Sequence, residues 1–131
     1  MAVLSGTLNC VLDANGCVTD GPQSYGHNER CTILVNVDGA LTATSFDTER
    51  NYDKIGIGGS YYSGTSGPQS VAVRAGSSIT WSSDYVGTRP GWVICFAPAM
   101  QSRPVTYLNY VCTIRDSDDA LLSCAGSGTA L

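Results

Sequence analysis

The chain has 131 residues, with seven Lys+Arg against eleven Asp+Glu, a formal net charge of -4, 43% hydrophobic residues and 14% charged ones. That length suits one domain with a real core. So few scattered cations cannot form the basic stripe of a nucleic-acid binder, and apolar runs as short as Val93–Ala97 or Cys31–Val35 cannot span a membrane.

Six cysteines at positions 10, 17, 31, 95, 112 and 124 make an even set, dense enough to indicate a disulfide framework and an oxidising compartment. A zinc site would need paired ligands of the CxxC kind, a spacing that none of the six approaches, and the lone His27 completes no mixed set. Met1 to Leu8 has neither the basic start nor the apolar stretch of a secretory leader, so a secreted chain is expected here in mature form.

In chain order, Cys31–Val37 alternates, with Ile33, Val35 and Val37 on one face and Thr32 and Asn36 on the other. Asp38-Gly39 offers a tight turn into Leu41–Phe46, which predicts a hairpin of the two runs. Further strands are predicted at Lys54–Ile57, Ser60–Tyr62, Ser70–Arg74, Ser78–Ser82 and Gly91–Phe96, with Gly-, Ser- and Pro-rich turns between them. Trp81 and Trp92 alternate with small or polar neighbours, as core residues of a sandwich do. No window carries a sustained 3.6-residue apolar period; Asp118–Leu122 is the one candidate for a single helical turn. Many short strands at regular spacing predict an all-β, jelly-roll-type sandwich.

Composition changes near residue 97. Ala97–Pro104 carries two prolines and reads as a linker closing a first unit of residues 1–97. Residues 98–131 then form an extension too small to fold alone, with their own cysteine pair, Cys112 and Cys124. Val105–Ile114 is its longest β-type run, with Leu108, Tyr110, Cys112 and Ile114 on one face and Tyr107, Asn109, Val111 and Thr113 on the other. A single strand of that length has to pair with a sheet edge, in its own chain or in a neighbouring copy. Tyr107, Leu108, Tyr110 and Val111 are therefore the expected assembly residues.

A set of short motifs occurs in order between Cys10 and Cys95. It runs through Cys17-Val-Thr-Asp-Gly-Pro-Gln-Ser-Tyr25-Gly-His-Asn28-Glu-Arg-Cys31-Thr-Ile33, then Phe46-Asp-Thr-Glu49 and Asn51-Tyr52-Asp53-Lys-Ile55, then Gly58-Gly59, Tyr62-Ser-Gly64 and Ser66-Gly-Pro68. Ile79-Thr-Trp81-Ser-Ser83-Asp84-Tyr85 and Gly91-Trp92-Val-Ile94 complete it. In order and spacing these resemble a CUB domain over about two thirds of the chain. The resemblance implies a disulfide-bonded jelly-roll sandwich in an extracellular protein, one that binds proteins or glycans and in many members a calcium ion. It implies a Cys10–Cys31 bridge, which leaves Cys17–Cys95 and Cys112–Cys124 as the expected remainder. The second disulfide usual in the family has no counterpart here.

The calcium-binding pattern of that family maps onto Glu49, Asp53 and Asp84, with the backbone carbonyl of Val86 as a further ligand and Tyr25 as a supporting residue. Physically, calcium takes six to eight oxygens, several of them carboxylate, and three carboxylates brought together without a cation raise one another's pKa. The alternative is that these are solvated loop acids, capping turns or pairing with Arg50 and Lys54.

Catalysis has little support: His27 is the single histidine, no Gly-x-Ser-x-Gly elbow occurs, and a Glu49–Asp84 pair for glycoside hydrolysis competes with the calcium reading. Tyr61, Tyr62, Tyr107 and Tyr110 can stack on sugars, form a protein interface or pack at sheet edges. The expected function is a non-catalytic extracellular module in assembly or adhesion, acting as a homo-oligomer or as the structural subunit of a fibre or matrix. A calcium-dependent module recognising protein or carbohydrate is the alternative, and a small secreted enzyme or inhibitor stands third.

Overall fold

β-branched residues alternating with Ser and Thr, cut by glycine turns, give strands throughout. In a computed structural model, residues 1–6, 10–21, 23–99, 102–116 and 120–126 are described, with backbone alone at 2–6, 102, 107 and 126. No helix occurs among them. The chain divides into two compact units, Met1–Pro98 and Ala99–Leu131.

The first unit contains β1 (Ala2–Gly6), β2 (Val11–Leu12), β3 (Cys17–Thr19), β4 (Arg30–Leu34), β5 (Gly39–Asp47), β6 (Lys54–Ile57), β7 (Ser60–Tyr62), β8 (Val71–Val73), β9 (Ser78–Ser82) and β10 (Gly91–Pro98). Two five-stranded sheets result, in the orders β1-β4-β9-β6-β7 and β2-β3-β10-β5-β8. Successive strands keep crossing between them, as in a jelly-roll-type sandwich. Ile33, Ile55, Ile57, Ile79 and Trp81 of the first sheet meet Val18, Leu41, Val73, Trp92 and Ile94 of the second in one core. Along β9 the alternation is plain: Ser78 and Thr80 are exposed, Ile79 and Trp81 buried. Tyr25, Trp81 and Trp92 form an edge-to-face series at its centre, with ring centroids 4.9 Å and 5.6 Å apart.

All six cysteines are bridged. Cys10, just before β2, joins Cys31 in β4, while Cys17 and Cys95 face each other across β3 and β10. A protein cross-linked this way belongs to an oxidising compartment.

The second unit is a three-stranded antiparallel sheet of β11 (Ser102–Tyr107), β12 (Tyr110–Arg115) and β13 (Leu121–Gly126). Cys112 and Cys124 pair directly across β12 and β13, and their disulfide pins that register. Val105 lies in the same row, and Arg103, Ile114 and Leu121 form the next row on that face.

The structure departs from the sequence-based expectations in four places. Asp38-Gly39 does not close a hairpin, because β4 and β5 lie in different sheets. Val35 is fully buried, its N–H bonded to Ser77 and its carbonyl to Gly76, so the strand is held there; Asn36–Asp38 then carry the chain across to Gly39, which pairs with Pro98 and Val73. Val37, expected inside, is 43% exposed. Sheets about 10 Å apart need only about three residues of extended chain to connect them.

Second, Val105–Ile114 is not one strand. Leu108, at φ +54°, and Asn109 reverse the chain, so that Tyr107 pairs with Tyr110 and Val105 with Cys112. The run satisfies its backbone against itself and β13, not against a single edge. Third, Leu121 and Leu122 of the expected helical turn lie in β13; residues 118 and 119 fall outside the described residues. Fourth, Ala97 and Pro98 of the expected linker complete β10, and residues 102–104 open β11.

Candidate metal centre

The acidic loops gather at one end of the first unit because the strands that deliver them are neighbours. Glu49 follows β5, Asp53 immediately precedes β6, and Asp84 follows β9, which pairs with β6. The turn from Thr48 to Asp53 closes on itself: the N–H groups of Tyr52 and Asp53 donate to the Glu49 carbonyl, at 3.2 Å and 3.0 Å, and the Thr48 hydroxyl donates to the Asp53 carbonyl at 2.9 Å. On the other side, Asn28 donates its N–H to the Asp84 carbonyl, and Ser83 links Glu29 to Gly26.

One carboxylate oxygen each from Glu49, Asp53 and Asp84 lies within 4.8 Å of the others. Asp53 is completely buried. Its Oδ2 accepts from the Tyr25 hydroxyl at 2.6 Å and its Oδ1 from the Asp84 N–H at 2.8 Å. Tyr25 in turn accepts the Glu49 N–H at 2.9 Å. Burial, then its bond to the Asp53 carboxylate, pushes the Tyr25 hydroxyl well above its ordinary value, so it remains a donor.

Glu49 is the unsatisfied member. Its carboxylate lies against Gly87, where a β-carbon would take its place, and its Oε2 is buried without a hydrogen-bond partner. Removal from water raises the Glu49 pKa, and the charges of Asp84 and Asp53 raise it further; Arg89 opposes them. A cation among the three acids would relieve both burdens. The donor set is all oxygen, which suits a hard cation such as calcium better than zinc or copper. Val86 is present through its N–H, which donates to Asp84 Oδ1 at 3.2 Å.

Of the expected assembly residues, Leu108 and Val111 are exposed and Tyr110 is half-buried; the side chain of Tyr107 lies outside the described residues. His27 is exposed on its loop.

Sequence reasoning passed over two buried acids. Glu29 accepts from the Trp81 indole at 3.1 Å and from the Gly26 N–H at 2.7 Å. Asp20 caps the start of β10 by accepting the Trp92 N–H at 2.9 Å, while its Oδ2 is buried without a partner. Loss of water raises the Asp20 pKa to about 6. The one signal for either was an acid flanking a strand end.

No family model, no curated protein and no solved structure matches this chain.

Proposed function

We propose that the chain is a non-catalytic, secreted CUB-like module whose acidic loop end holds calcium and, so ordered, recognises extracellular protein or glycan. The observation that carries this reading is the convergence of Glu49, Asp53 and Asp84 within 4.8 Å, with one Glu49 oxygen buried and unpartnered. The three disulfides support secretion. Asp53 has both oxygens engaged by Tyr25 and the Asp84 N–H, an arrangement that suits a fixed ligand better than a general base.

A ligand that binds only the native state raises its stability by mass action. Calcium should therefore raise the melting temperature of the intact chain relative to chelator, and Asp84→Asn should abolish the rise while leaving the fold intact. A melting temperature indifferent to chelation refutes the metal reading.

A second reading, self-assembly into an oligomer or fibre, is favoured by the second unit. Its three strands form a single layer, and Val105, Leu108, Val111, Leu121 and Leu122 are all exposed. A three-stranded sheet of this size gains little stability by itself. Sedimentation of the intact chain against a Val105→Glu/Leu121→Glu variant tests it. Concentration-dependent association lost in the variant supports assembly, and an intact chain that stays monomeric at high concentration defeats it.

A further inference from the structure

On the outer face of the β1-β4-β9-β6-β7 sheet, among the described residues, one large ring stands beside small residues, with Arg30, Leu34 and Lys54 on the same face. Tyr61 on β7 stands opposite Gly56 on β6, and Gly56 stands opposite Thr80 on β9. Tyr61 is 71% exposed. A β-carbon on Gly56 would sit 2.6 Å from the Thr80 hydroxyl and 3.1 Å from a carbon of the Tyr61 ring. The glycine is therefore what lets the phenol lie down on the sheet beside that hydroxyl. Beside it opens a cleft of about 400 Å³, bordered by Gly56, Tyr61, Ser77, Ser78 and Thr80. The Lys54 ammonium lies 5.6 Å from the ring centre.

We propose that this cleft is a subsite for one pyranose ring of a glycan. A pyranose has a face of C–H groups and a rim of hydroxyls. The ring of Tyr61 matches the first, an amphipathic surface that costs little to order. Ser77, Ser78 and Thr80 supply donors and acceptors for the second. The cleft lies within the size range of small-molecule sites. A protein partner fits it poorly, because protein interfaces centre on clusters of large desolvated anchors, and here one ring stands among glycines and hydroxyls.

The subsite does not rest on the metal reading. It borders the Ile57–Ser60 turn and the start of β9, whereas Asp53 precedes β6 and Asp84 follows β9, so the acids occupy the opposite ends of the same two strands. Sugar binding here needs no ion.

The test is saturation-transfer NMR on the intact chain with methyl glucoside, methyl galactoside and methyl mannoside in both anomers. At least one should receive saturation, strongest at the protons of its apolar face. Tyr61→Ala should weaken binding about tenfold or more, a loss of roughly 1.4 kcal/mol, and Tyr61→Trp should preserve it. Thr80→Val, a change on the exposed side of β9, should also weaken it. Chelator should leave the signal unchanged, so that failure here and failure of the calcium reading remain separate results. Absence of transfer to all the methyl pyranosides overturns the proposal. So does transfer that survives Tyr61→Ala, or transfer that disappears with chelator.

Discussion

The hydroxyl of Tyr25 lies 2.6 Å from Asp53 Oδ2 and accepts the N–H of Glu49 at 2.9 Å, so one phenol rooted in the core fixes two loop acids at once. Its ring packs edge-on against Trp81, which ties the acidic loops to the centre of the sandwich. Tyr25→Phe keeps the packing and removes only the hydroxyl. It should cost about 1 to 3 kcal/mol, because Asp53 is left with a buried acceptor unmet. Chemical denaturation of the two proteins measures the difference. A loss below a few tenths of a kcal/mol means that Asp53 has another partner.

Asp20 predicts a pH dependence. Its pKa rises from the ordinary 3.8 to about 6 on folding, chiefly because burial penalises the charged form. Between about pH 4 and pH 6 the folded chain therefore binds more protons at this site than the unfolded chain. The Asp20 contribution to stability thus falls as pH rises through that window and is level above it. Asp20→Asn retains an oxygen for the Trp92 N–H and cannot ionise. The stability difference between variant and parent should grow in favour of the variant from pH 4 to pH 6, by about 1 to 3 kcal/mol. A difference that stays flat with pH contradicts the assignment.

Gly91 opens β10 at φ +104°, and a β-carbon there would run into the Asp20 carboxylate. Gly91→Ala meets both a backbone penalty and a clash in a buried place. It should destabilise the fold by about 2 kcal/mol or more. If shortening the acid in Gly91→Ala/Asp20→Ala recovers none of that loss, the clash is not its cause.

Leu108 holds φ +54° at the first turn position between β11 and β12, a conformation that costs a side-chain-bearing residue about 1 to 2 kcal/mol. Leu108→Gly removes that cost and forfeits some backbone entropy. A net gain of about 0.5 to 1 kcal/mol is expected, seen as slower amide exchange in β11 and β12. Faster exchange would mean that the leucine side chain is itself packed.

Where the sequence alternates over four or five residues, the strands fall where alternation placed them, as in Lys54–Ile57 and Ser78–Ser82. Strands of two or three residues, such as Val11–Leu12 and Cys17–Thr19, are too short to carry a period. Partners were harder to read than strands. Asp38-Gly39 has the composition of a hairpin turn, but the destination of β5 is decided by pairing with β10, more than forty residues on. The Leu108–Asn109 reversal lacks the glycine that would have announced it. At the site, Glu49, Asp53 and Asp84 could be named from the order and spacing of the short motifs that carry them. Asp20 and Glu29 could not, since their burial depends on Trp92 and Trp81, 72 and 52 residues away.

The bridge between Cys17 and Cys95 spans 78 residues of chain and joins two strands that already face each other. A pull applied to the backbone on either side of it passes from one sulfur to the other and never enters the intervening segment. At about 3.5 Å per residue, some 270 Å of contour length is thereby withheld from extension. Under tension the strands from β3 to β10 stay inside that closed loop until a reductant opens the bond, whereas β1 and β2 lie outside it.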